Sequence, residues 1–176
     1  MSGFFLNGSS VFLRALSMED ATPEYLDWIN NPETTRGLVA GNFPSNMESL
    51  KAYIASVTTH KDCVILAVCD RSTSKHIGNV KLDRIDWISG TCELGILIGS
   101  ADHRGKGIGT EVCGMMIRYA FQTLNLRKVL LAVYSNNPAA MRAYEKAGFT
   151  EEGRLKEHVY CEGMYVDKIL MSAFKN

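Results

Sequence analysis

The stretch Glu93–Ala120, ELGILIGSADHRGKGIGTEVCGMMIRYA, sets an apolar run, a short polar loop, a Gly-x-Gly-x-Gly turn and a helical pattern end to end. Such an order lets a chain offer several backbone N–H groups to one phosphate. Glycines at 105, 107 and 109 leave no Cβ to hold an anion away, and they tolerate the positive φ angles that turn successive amides the same way. A helix beginning near Thr110 adds its own unpaired N–H groups and the positive end of its dipole. Charge-assisted bonds of this kind contribute roughly 1.5–3 kcal/mol each, and the dipole about 0.3–1 kcal/mol. A few of them hold a pyrophosphate.

The spacing excludes two common phosphate ligands. A P-loop requires Gly-x-x-x-x-Gly-Lys-Ser/Thr, but with Gly105-Lys106 in register the first glycine falls on Ser100 and the hydroxyl position on Gly107. A dinucleotide fingerprint, Gly-x-Gly-x-x-Gly, started at Gly105 ends on Thr110. It also belongs in the first strand-to-helix turn of its domain, whereas this loop lies past the middle of the chain. Neither Walker-type ATP binding nor NAD binding fits.

The loop does match Arg/Gln-x-x-Gly-x-Gly/Ala, as Arg104, Gly107 and Gly109 directly after an apolar strand. A second block, Asn137-Pro-Ala-Ala140-Met-Arg-Ala-Tyr144-Glu-Lys-Ala-Gly148-Phe149, matches Asn-x-x-Ala-x-x-x-Tyr-x-x-x-Gly-Phe. In this order and at this distance the two blocks resemble the GNAT N-acetyltransferases, and with the strands between them they cover about the C-terminal half of the chain. A finer resemblance rests on Leu13-Arg14, Trp28-Ile-Asn-Asn-Pro32, His76-Ile-Gly-Asn-Val-Lys-Leu82, Glu151-Glu-Gly153 and Gly163-Met-Tyr-Val-Asp167. It is to the branch that includes ribosomal-protein N-terminal, spermidine and amino-sugar acetyltransferases, the WINNP and HIGNVKL segments looking most like the sugar-modifying members.

The resemblance implies a single α+β domain over residues 1–176, a GNAT-like fold with a central mixed, mostly antiparallel sheet, helices on both faces and a splayed parallel strand pair. It implies acetyl-coenzyme A as co-substrate. The diphosphate would lie on Arg104, Gly105, Lys106, Gly107, Ile108, Gly109 and Thr110, and the pantetheine arm beside Leu97 and Ile98, with Asn137, Ala140 and Tyr144 opposite. The amine would arrive from the other side.

Acyl transfer to an amine needs a neutral amine, a donor for the oxyanion and an acid for the departing thiolate. An alkyl ammonium lies about three units above neutral pH, so deprotonating it costs roughly 4 kcal/mol. Glu93, a carboxylate in an otherwise apolar strand, is the candidate base, acting directly or through water; its alternative is a strand-start carboxylate facing solvent or a cation. Tyr144 matches the family tyrosine that protonates the coenzyme thiolate. The expected activity is direct transfer of acetyl to a primary amine of a small molecule, an amino sugar or a polyamine. Two alternatives stand beside it: N-terminal acetylation of a protein, and a non-catalytic acyl-coenzyme A sensor.

The rest of the chain sets bounds. At 176 residues, 46% of them hydrophobic, it is long enough for one well-buried core and too short for two ordinary domains. Zero formal net charge argues against nucleic acid as a partner. The five cysteines, 63, 69, 92, 113 and 161, lack Cys-x-x-Cys spacing, and the four histidines form no metal-ligand pattern, so no metal is expected. The N-terminus lacks a basic segment ahead of its apolar run and no run is long enough to cross a bilayer, which reads as a cytoplasmic protein with no membrane partner. Exposed apolar residues in the closing hairpin would permit a homodimer.

Periodicity predicts strands at Val11–Leu16, Val64–Cys69, His76–Ile85, Thr91–Ile98 and Lys128–Tyr134, and a closing pair, Phe149–Cys161 and Met164–Phe174. Helices are expected after Thr22-Pro23, after a Ser45-x-x-Glu48 capping box, near Thr110 to Asn125, and from Asn137-Pro138 to Gly148. Residues 34–44 show no period and read as loop.

Overall fold

The computed structural model describes residues 3–175. Eight strands form one sheet in the order β1-β2-β3-β4-β5-β6-β8-β7. They are β1 (Leu6–Asn7), β2 (Val11–Ala15), β3 (Val64–Asp70), β4 (His76–Asp86), β5 (Thr91–Ile98), β6 (Lys128–Tyr134), β7 (Thr150–Cys161) and β8 (Met164–Phe174). Among the described residues only β5 and β6 run parallel; every other neighbouring pair is antiparallel. The parallel pair follows from the connection, since the chain crosses from β5 to β6 through a helix while the other neighbours are joined by turns or return connections. Five helices complete the fold: α1 (Pro23–Asn30), α2 (Pro32–Thr35), α3 (Met47–Thr59), α4 (Ile108–Gln122) and α5 (Pro138–Lys146).

At β3 the sheet is buried on both faces, which explains why that strand reads VILAVC without alternation. On one face α4 packs Val112, Met116 and Ala120, all 0% exposed, against Leu13, Leu82, Val129 and Ile169. On the other, Tyr25 and Trp28 of α1 and Leu50 and Ile54 of α3 cover Phe12, Ala67 and Cys69. Each such large side chain contributes about 1.5–3 kcal/mol. The helices hold the sheet from both sides and leave its β5–β6 end to the functional site.

Several boundaries differ from the expected ones. The N-cap of α3 is Asn46, whose Oδ1 accepts from Ser49 N–H at 2.8 Å while Ser49 Oγ accepts from Asn46 N–H at 3.0 Å. Ser45 is occupied elsewhere: its N–H donates to Asn30 Oδ1 and its carbonyl accepts from Asn30 Nδ2, so its backbone belongs to the end of α1. Residues 34–44 are not all loop. They contain the end of α2, with Asn31 capping Glu33 and Pro32 at its first position, and a single 3₁₀ turn at Val39–Asn42. The short β1 lacks any period a two-residue strand could show. α4 starts at Ile108, two residues before Thr110, because Gly107 at φ 81° serves as its N-cap.

Among the described residues no helix is long and apolar enough to cross a membrane. No cluster of His, Cys, Asp and Glu among them has the geometry to hold a metal ion.

Candidate active site

β5 and β6 pair at Thr91↔Lys128, Cys92↔Val129 and Glu93↔Leu130, then part. Past that point β5 stays on β4 to Ile98 and β6 stays on β8 to Tyr134, so each strand is held by its outer edge while the facing edges lose their partners. Trp28 sits over the end of β5 so closely that a Cβ on Gly99 would lie 2.0 Å from its ring. Helix α1 is thereby pinned beside the fork.

The fork opens a cleft of about 640 Å³. Of the expected site residues, Leu97, Ile98, Arg104, Gly105, Gly107, Gly109, Thr110, Asn137, Ala140 and Tyr144 all line it. Lys106 does not, and Ile108 turns its side chain into the core, 5% exposed, so it could meet a ligand only through its N–H. Arg36, Arg142 and Lys146 join Arg104 in the lining, against Glu33 as the sole carboxylate there among the described residues. The cleft is built for an anion. Arg142 and Lys146, one turn apart on α5, were not among the expected site residues; their spacing four apart, flanking Tyr144, was the available signal.

The glycines separate by cause. Gly105 at φ 76° and Gly107 at φ 81° need glycine for the backbone alone. Gly109 has no such need: its φ is not positive, and a Cβ built on it would meet no protein atom within 4 Å. Its place in the cleft lining is open instead, at the first turn of α4 where a diphosphate would lie. This fits a coenzyme with a bulky anion on that turn.

Two braces hold the loop and the second helix. Asp70, at the end of β3, lies 3.2 Å from His103 Nε2, and His103 Nδ1 lies 2.7 Å from Ser100 Oγ, tying the loop after β5 to the β3–β4 turn. Hydrogen bonds from Ser72 and Thr73, joined by His103, hold the Asp70 carboxyl well below the usual carboxylate range. Thr110 Oγ1 donates to Ala143 O at 3.2 Å, which joins the start of α4 to α5. Asn137 Oδ1 caps α5 by accepting from Ala140 N–H at 3.1 Å, leaving its Nδ2 donors toward the cleft.

Tyr144 lies on α5, edge-on to Phe149 with ring centroids 6.0 Å apart. Burial pushes its phenol well above the ordinary value, with the nearby Cys113 adding to the effect, so it stays protonated at neutral pH. Burial also pushes the Cys113 thiol up to about 12, which keeps that thiol from acting as a nucleophile at neutral pH.

Across the sheet end, a second cavity of about 450 Å³ lies between the sheet, α1 and α3, and it shares Leu38, Ile96 and Leu97 with the cleft. The two meet at the fork. Asn79, Lys81 and Gly95 form its sheet side, with Tyr25, Tyr53 and Ser49 facing them. Beneath Asn79 runs a polar chain. Arg14 clamps Asp20 at 2.8 and 2.6 Å, Asp20 lies 3.7 Å from His76 Nδ1, and His76 Nε2 meets Asn79 Oδ1 at 3.0 Å. Glu93 lines neither cavity. It sits two residues before Gly95 on the same strand face, half exposed, with its carboxylate on Arg84 Nη1 at 2.9 Å.

This second cavity was not visible in the sequence, because its residues come from α1, α3, β3, β4, β5 and the segment between α2 and α3 and share no local spacing. The comparisons agree with the geometry. Residues 10–150 match the family described as the acetyltransferase (GNAT) domain. The spermidine N(1)-acetyltransferase of Vibrio cholerae is 32% identical over 96% of this chain and 97% of its own; that of Escherichia coli K12 is 29% identical over 95% of this chain and 87% of its own. The crystal structure of the Vibrio cholerae spermidine N-acetyltransferase in complex with CoA and spermine superposes with a TM-score of 0.85, at 29% identity over 95% of this chain and 96% of that one. With the family model matching residues 10–150 and a relative 32% identical along almost its whole length, the chain belongs to the GNAT acetyltransferase family.

Proposed function

We propose that the chain moves the acetyl group of acetyl-coenzyme A directly to a primary amine of a small molecule, with Tyr144 as the acid and Glu93 as a base acting through water. The observation that carries this reading is the side-chain-free turn at Gly109 facing Tyr144 across a cation-lined cleft. The acceptor reaches the thioester from the second cavity, through the junction at Leu97. Relatives named for spermidine favour a small amine over a protein N-terminus.

In the reaction the amine nitrogen bonds to the thioester carbon, the oxyanion takes N–H donors freed at the fork, and the C–S bond breaks. Full proton transfer from a phenol to a thiolate is uphill by about 2 kcal/mol at ordinary values of about 10 and 8.5. Burial of Tyr144 makes it steeper. The phenol therefore acts first as a hydrogen-bond donor to sulfur as charge develops, and the proton is made good as the amine nitrogen loses its own. Glu93 stands about 7 Å along the strand from Gly95, so any proton it takes passes through ordered water.

Tyr144→Phe should lower kcat by about 100-fold or more while the Kd for acetyl-coenzyme A, read by calorimetry, changes less than about twofold. Release of free thiol in the presence of amines measures the first. Tight acetyl-coenzyme A binding with no turnover against any amine would instead establish the sensor reading.

A further inference from the structure

We infer that Asp70 and Glu111, neither of which lines the cleft, are positioning residues for the coenzyme. Through one circuit of hydrogen bonds and backbone they grip the two ends of the glycine turn, His103 at its entry and the first turn of α4 at its exit. The inference rests on the coenzyme-binding part of the reading above and concerns how that turn is kept in its binding shape.

The turn has little to hold it from within. Gly105 and Gly107 stand at positive φ, and a Cβ added at Gly105, Gly107 or Gly109 would meet no protein atom within 4 Å. A glycine backbone loses more freedom on ordering than any other, and a loop that must order on contact loses affinity in doing so. Its order comes from both flanks.

At the entry, Asp70 Oδ1 closes the β3–β4 turn by accepting from the N–H and hydroxyl groups of Ser72 and Thr73 at distances between 2.6 and 2.9 Å. That leaves Oδ2 aimed at His103 Nε2, 3.2 Å away. An ionised carboxylate only accepts, so Nε2 carries the hydrogen and Nδ1 accepts from the Ser100 hydroxyl at 2.7 Å. The 3₁₀ turn Ala101–His103 is thereby fixed, and Arg104 and Gly105 follow it directly.

At the exit, Glu111 N–H donates to Gly107 O at 3.0 Å, and its carboxylate accepts from the N–H groups of Ser9 and Ser10. Ser10 O in turn accepts from Arg71 N–H at 3.0 Å, and Gly8 O accepts from Arg71 Nη1 at 3.0 Å. Arg71 adjoins Asp70, so both flanks of the diphosphate turn hang from one anchor at the β3–β4 corner. A turn tied at both ends to one point has fewer arrangements to lose when a diphosphate arrives.

Calorimetry with acetyl-coenzyme A, which needs no turnover, and steady-state thiol release test this together. Asp70→Ala and Glu111→Ala should each raise the Kd and KM for acetyl-coenzyme A about tenfold, with kcat at saturating coenzyme and the KM for the amine within about twofold of native. Asp70→Asn keeps an acceptor for Ser72 and Thr73 and offers an N–H to His103, whose ring then takes the other tautomer. That variant should recover to within about threefold of the native Kd. Because Asp70 acts through His103, Asp70→Ala should cost no further affinity in a His103→Ala background. His103→Ala and Glu111→Ala leave the Asp70 turn intact and decide the matter should Asp70→Ala fold poorly. Lowered melting temperatures with an unchanged Kd, or a fall in kcat with KM unchanged, overturn the inference and leave the transferase reading standing. A native chain that binds no acetyl-coenzyme A overturns both.

Discussion

At the scale of single residues, environment and not residue type decides what each ionisable group does. His76 is pressed edge-on against Trp28 and Tyr25, with ring centroids 5.2 and 5.7 Å away, and burial holds its imidazole below the ordinary value despite the Asp20 carboxylate nearby. Its folded pKa is depressed, so the unfolded chain binds the proton more readily, and stability is full above about 6.5 and falls as pH drops below it. One group contributes a slope of at most about 1.4 kcal/mol per pH unit. Asp20 acts in a lower window. Burial opposes its charge, but Arg14, the Ser17 N–H and His76 outweigh that and hold it below the usual range, so its contribution is lost only below about pH 4. Melting temperatures between pH 7.5 and 5 should therefore fall in the native chain and fall less in His76→Gln. An unchanged pH profile in that variant would show that another group sets the slope. Glu93 makes a second prediction. If it works through water on an ammonium, Glu93→Gln should slow turnover of a strongly basic amine about tenfold, and that of an amine with pKa near 8 much less, because deprotonation then costs only about 1 kcal/mol. Equal losses for both amines would assign it to structure. The sequence made Glu93 conspicuous as a carboxylate in an apolar strand; it could not reveal Arg84 beside it, since Arg84 reaches it across the β4–β5 pairing.

At the scale of elements, the chain was most readable where one short segment carries its own start and stop. Helix α5 has Asn137 as cap, Pro138 at its first position and Gly148 at φ 102° just beyond its end, all local signals that tertiary packing had no cause to override. Helix α3 shows the opposite case. Of two overlapping patterns, Ser45-x-x-Glu48 is the better local match to a capping box and Asn46-x-x-Ser49 the one used, while Ser45 is held by Asn30, fifteen positions away. Helix α4 carries the prediction that belongs here. Gly109 lies in its first turn, where alanine is the better helix former by up to about 1 kcal/mol, and nothing in the protein crowds an added Cβ. Gly109→Ala should raise or preserve the melting temperature while weakening acetyl-coenzyme A about tenfold by calorimetry. Opposite signs in the two measurements identify a glycine kept for the ligand; a loss of stability would identify one kept for the fold.

At the scale of the molecule, the fold is a sheet made to fork. Its central strands were legible from period and length, because both faces are covered there and the apolar runs are long; the fork was legible only through the resemblance. The acceptor cavity was not, as it exists only once α1 and α3 settle on β4 and β5. The fork has a measurable signature. Beyond Glu93↔Leu130 the facing edges of β5 and β6 carry backbone N–H and C=O groups with no ladder partner, while the outer edges remain bonded to β4 and β8. An extended pantetheine arm bonds such edges as an added strand does. A ligand at 100 times its Kd stabilises the native state by about 2.7 kcal/mol, which for a domain of this size raises the melting temperature by roughly 5–11 °C. Hydrogen exchange resolves where that stabilisation falls. With saturating acetyl-coenzyme A, protection should rise most at the inward amides of residues 96–98 and 132–134 and in the turn 104–110, and little in the β7–β8 hairpin. Because Arg104, Arg142 and Lys146 line the cleft, with Arg36 already paired to Glu162, the gain should shrink as salt is raised. Protection spread evenly over the sheet, or confined to the glycine turn, would mean that the arm does not lie between the parted strands.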